Sequence, residues 1–105
     1  MSKLLTFCDA LIQMIDYLVA GKTRPEKVRG FILDHITFVK KACEKVQGVD
    51  KEMSEYIYYL DQLKGPLNKA FTGSAKRNAE EVKNKLRPSF ENKLRAVAPN
   101  NILLK

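Results

Sequence analysis

Histidine occurs once in the 105 residues, at position 35, and cysteine twice, at positions 8 and 43. A Ser-His-Asp or Cys-His arrangement therefore has one place to form. That place is the middle of an apolar helix face, so the expectation for His35 is a buried, hydrogen-bonded core histidine. A phosphotransfer histidine is usually solvent-accessible, with small or basic neighbours one turn on; here Phe38 and Val39 follow. A zinc site would need Cys8, Cys43, His35 and a carboxylate to converge without close paired spacing. Two cysteines with no CxxC pair point to free thiols in a reducing compartment. The five glycines are isolated, which leaves no phosphate-cradling loop. No apolar run approaches the ~20 residues of a membrane span. Asp9 and Asp16 interrupt the apolar stretch after Lys3, so no signal-peptide core is present. The expectations are a cytoplasmic, unprocessed chain with no cofactor, no metal and no catalytic residues, hence not an enzyme.

Acidic residues are scarce in one region only. Residues 1–63 carry nine Lys/Arg and nine Asp/Glu, whereas residues 64–105 carry ten Lys/Arg against three Glu. The formal charge of +7 thus belongs to the last two-fifths of the chain. Such an asymmetry favours an acidic partner: nucleic acid, an anionic membrane surface or an acidic protein.

What is present is helical periodicity with clear punctuation. Gly21, Gly48 and Gly73 each read as a helix stop, followed by residues able to cap the next helix. Thr23-Arg-Pro-Glu26 fits a capping box with Pro25 in the first turn. Helices are expected over 3–20, 24–47, 51–72 and 75–97, the third interrupted near Gly65-Pro66 and the fourth near Pro88. Connections of two or three residues make sequence neighbours antiparallel. The fold class is therefore all-α, an antiparallel four-helix bundle in a single domain, 1–105, with an irregular C-terminal tail over 98–105. Ile102-Leu103-Leu104 favours a tail folded back onto the bundle, the alternative being a short docking segment.

The helix faces sort the remaining residues. Val28, Ile32, His35, Ile36, Val39, Ala42, Cys43 and Val46 share one face of the second helix, flanked by Phe31 and Phe38. The first helix is apolar except for one stripe, Thr6, Asp9, Gln13 and Asp16, so it lies at the bundle centre or meets another chain. In the third helix Met53, Tyr56, Ile57, Leu60 and Leu63 face inward, leaving Tyr58 and Tyr59 at the edges. In the fourth, Ala75, Ala79, Val82, Leu86, Phe90 and Val97 form the inward stripe. It contains the doubled phrase NKLR (84–87 and 92–95), which reads as two turns meeting one packing demand.

Arg77–Glu81, Glu81–Lys85 and Glu91–Arg95 are i,i+4 pairs that can satisfy each other. Lys64, Lys69, Lys83, Arg87 and Lys93 remain less compensated, and with Lys76 they form the expected partner- or polyanion-binding set. Phe7, Met14, Tyr58, Tyr59 and Leu103 form the expected protein interface. No helix-turn-helix, RNP or zinc-module signature accompanies the basic residues. The function expected from these observations is a small non-enzymatic protein-binding module: an adaptor, inhibitor or accessory subunit. It would dock an acidic or apolar partner surface, or self-associate. The alternative is a nucleic-acid-binding helical subunit of a nucleoprotein complex, using the basic half.

Overall fold

The computed structural model describes residues 1–67 and 72–105. Helix α1 spans Lys3–Val19, α2 Pro25–Ala42, α3 Asp50–Leu63, α4 Thr72–Glu81 and α5 Arg87–Val97. A π turn, Val82–Leu86, joins α4 to α5, so residues 72–97 form one fourth helix. At ~1.5 Å per residue that helix is about 39 Å long, close to the 41 Å long axis of the molecule. The architecture is a four-helix bundle, as the periodicity implies. α1 packs against α2 and the fourth helix, and α3 does the same from the other side. The helices thus sit around a square, and the α1–fourth-helix face is opposite the α2–α3 face. No helix among the described residues is long and apolar enough to cross a membrane.

Local chemistry explains most helix ends, with three departures from the sequence expectation. Gly21 and Gly48 take φ of 73° and 88°, the left-handed conformation that ends α1 and the α2–α3 connection. Gly73, however, lies inside α4 with no positive φ. α2 is capped by the backbone of Arg24 with Pro25 at its first position; no side-chain cap forms, so the Thr23 capping box is not made. α2 also stops at Ala42, five residues short of expectation. The Ala42 carbonyl, left without a helical donor, accepts from Asn101 Nδ2 at 2.9 Å. α3 ends at Leu63, so the third helix is broken near Gly65-Pro66 as expected; 68–71, the last part of its expected span before Thr72, lie outside the described residues.

The tail is ordered and docked. Asn101 Oδ1 accepts from the Leu103 amide at 3.0 Å, capping a short 3-10 helix, Ile102–Leu104. Leu103 is fully buried, and this helix packs against α1, α2 and α5. α1 is therefore enclosed by α2, the fourth helix and the tail, which accounts for its apolar circumference.

Pro88 shapes the fourth helix without breaking it. The Arg87 amide bonds to the Val82 carbonyl, five residues back, which opens the helix by one residue. Counted from Ala75 at ~100° per residue, Leu94 would fall about 100° off the inward stripe and Val97 about 40°. One inserted residue moves each back by about 100°, placing Leu94 in line with the core. Leu94 is indeed fully buried, while Val97, expected inward, is 42% exposed.

Candidate functional site

Three polar side chains meet inside the bundle, one from each of α1, α2 and α3. The Tyr56 hydroxyl stands 2.7 Å from His35 Nε2 and 4.0 Å from Cys8 Sγ. The Phe7 ring stacks flat on the imidazole, centroids 3.5 Å apart, and Phe90 packs on Tyr56. Burial lowers the His35 pKa to about 4, so the ring is neutral at neutral pH. Burial likewise raises the Cys8 thiol to about 11, with Tyr56 hydrogen bonding acting against it. The thiolate is the nucleophilic form, and this environment disfavours it. Each polar group is satisfied by the next, and the contacts tie three helices together.

The basic residues have mostly been taken up by the fold. Lys83 Nζ reaches Asp9 at 2.7 Å and Lys76 Nζ reaches Asp16 at 2.8 Å. The two acids are one heptad apart on α1 and the two lysines one heptad apart on the fourth helix, in opposite order. This is the signature of an antiparallel pair in register, and it uses half of the α1 polar stripe. Lys64 pairs with Asp61 at 2.7 Å, and its carbonyl accepts from Arg29 Nε at 3.1 Å.

Arg87 is swung inward by the π turn, its side chain only 15% exposed. Its Nη1 donates to Glu91 Oε2 at 2.9 Å and its Nε to the Lys83 carbonyl at 3.0 Å. In the wide turn that carbonyl would look to residue 88 for a donor, and proline has none. Arg87 supplies it. Arg95 approaches Glu91 Oε2 at 3.9 Å, while Glu91 Oε1 is buried with no partner among the described residues.

Of the six expected polyanion-binding residues, Lys64, Lys76, Lys83 and Arg87 are thus engaged with acids of the same chain. Lys93 is exposed and without an ion pair among the described residues, and Lys69 lies outside them. The charge asymmetry of the sequence therefore dissolves in space. Cations from the C-terminal part neutralise Asp9, Asp16 and Asp61, which leaves N-terminal lysines such as Lys40 without such partners among the described residues.

The expected protein interface divides in the same way. Phe7 and Leu103 are inside the chain's own core, Phe7 because it covers His35 and stacks on Phe31, Leu103 because the tail docks. Met14 packs partly buried against that core. Tyr58 and Tyr59 are at the surface, 59% and 42% exposed, with their rings edge to face.

Tyr58 borders a feature that the sequence reading missed. Between α2 and α3 runs a surface groove of about 530 Å³. Ile36, Met53 and Ile57 form its apolar floor, Leu33 and Tyr58 its rims, and Lys40 and Asp61 its ends. Leu33 is 47% exposed. The legible signal was Leu33 itself: an apolar residue on the α2 surface, one turn from Ile36 and Thr37 and outside the core stripe. Comparison with known proteins finds no matching protein-family model, no similar curated protein and no similar solved structure.

Proposed function

We propose that this chain is a non-enzymatic protein-binding module whose docking surface is the open α2–α3 face. The observation that carries this reading is the groove. Leu33 and Tyr58, 47% and 59% exposed, stand on either side of an apolar floor of Ile36, Met53 and Ile57. Aromatic side chains such as tyrosine at an apolar, desolvatable pocket are the usual centre of a protein interface, with polar and charged groups at its rim. Lys40 and Asp61 occupy those rim positions. An adaptor, inhibitor or accessory subunit needs no more chemistry than this. The nucleic-acid reading is less favoured, because the cations it relied on are largely spent on internal ion pairs.

The test is capture of partner proteins from the source cells by the tagged chain, compared with Leu33→Asp. Leu33 is surface-exposed, so the variant should keep its helicity and lose the captured protein. Unchanged capture by Leu33→Asp removes this surface from consideration. Tight nucleic-acid binding at physiological salt that is unaffected by Leu33→Asp would favour the polyanion reading instead.

A further inference from the structure

We infer that the occupant of the α2–α3 groove is a second copy of this chain, docked about a two-fold axis. The inference rests on the protein-binding reading of that face and names its partner. Two properties of the patch support it. The first is shape. The same patch carries a depression, floored by Ile36 and Ile57, and protruding side chains beside it, Leu33 and Tyr58. A closed dimer needs a surface complementary to itself, in which the knob of each copy finds the hollow of the other.

The second property is charge. α2 and α3 run antiparallel, so Lys40, late in α2, and Asp61, late in α3, mark opposite ends of the groove. An in-plane two-fold axis that crosses the line between them at its midpoint and at a right angle exchanges those ends. Each Lys40 then lies over the partner copy's Asp61, and the pairing occurs twice per dimer. Lys40 has no ion pair among the described residues. Asp61 is half exposed and uses one oxygen, Oδ1, for Lys64, which leaves the other available. A purely acidic or purely basic occupant would meet like charge at one end, whereas a second copy meets opposite charge at both. A two-fold contact also closes on itself, so it saturates at two chains instead of propagating.

Sedimentation equilibrium of the whole chain, from low micromolar to several hundred micromolar at physiological ionic strength, tests this. The expected result is concentration-dependent doubling of the 12.0 kDa mass. Lys40→Asp and Asp61→Lys should each weaken dimerisation at least about tenfold, since each places like charges together twice. The double variant Lys40→Asp/Asp61→Lys should recover it, a result that a general loss of folding could not produce. Leu33→Asp should give a monomer of unchanged helicity.

A wild-type chain that stays monomeric across the range overturns the inference. So does a double variant that fails to recover. If the chain is monomeric but captures a different protein through Leu33, the inference fails while the protein-binding reading stands. If a dimer survives Leu33→Asp and no capture depends on Leu33, both fail.

Discussion

The two opposite faces of the bundle are built from similar materials and used differently. On the α1–fourth-helix face, charged residues meet charged residues of the neighbouring helix: Asp9 with Lys83 and Asp16 with Lys76. On the α2–α3 face, apolar side chains remain at the surface, and Lys40 stands apart from any acid partner among the described residues. The first face is closed by its own chain. The second is left with unspent binding capacity. Charge in a sequence is thus a poor guide to a binding surface when a neighbouring helix can absorb it. An apolar residue off the core stripe is a better one.

The largest expected effect separates core from open face within one residue type. Leu94→Ala should cost roughly 2–5 kcal/mol in urea unfolding, as a buried leucine in a packed core does. Leu33→Ala should stay within about 0.5 kcal/mol, as an exposed position does. Val97→Ala sharpens the point. If Val97 proves as costly as Leu94, the one-residue shift assigned to the π turn is wrong.

A second prediction uses neighbours in sequence. His35 faces the core and Ile36 the groove, so only His35 should link stability to pH. Its folded pKa, about 4, lies below the ordinary 6.5, so the unfolded chain takes up the proton first. The stabilisation is complete above pH 6.5 and is lost as pH falls from 6.5 toward 4. The loss is on the order of 3 kcal/mol for a shift of this size. Urea unfolding across that window should show the slope in the wild type and a much flatter one in His35→Gln. An equal slope in both would place the titrating group elsewhere.

The smallest effect belongs to the closed face. A double-mutant cycle on Asp9 and Lys83 should return a coupling of roughly 0.2–1 kcal/mol, since both side chains are over one-third exposed. Added salt should shrink it. A coupling that salt leaves unchanged would mean that the pair acts through packing and not through charge.

Much of the fold was legible because it depends on local rules. The α2 stripe from Val28 to Val39 follows from helical period alone, and Gly21 and Gly48 take the backbone conformations that their positions demand. What could not be read depends on distant partners. α2 ends where Asn101 caps it, 59 residues away in sequence. Counting i,i+4 pairs along the fourth helix suggested Arg77–Glu81 and Glu81–Lys85. Neither forms among the described residues; Lys76 and Lys83 reach across to α1 instead, and Glu91–Arg95 alone of the suggested pairs is present, at 3.9 Å. Phe7 and Leu103 looked like spare apolar surface because the helix and tail that cover it are separated by most of the chain. The groove was the reverse case: Tyr58 was visible from its position at the edge of α3, but its opposite wall, Leu33, is on another helix.

The Asn101 side chain has one more effect, on how the molecule comes apart. Its amide holds the last carbonyl of α2, and its oxygen holds the turn that seats Leu103 among α1, α2 and α5. Fraying of α2 at its C-terminal end and release of the tail are therefore one event rather than two. A bundle whose loose ends are tied in this way has fewer partial openings available, and its unfolding is pushed toward a single cooperative transition.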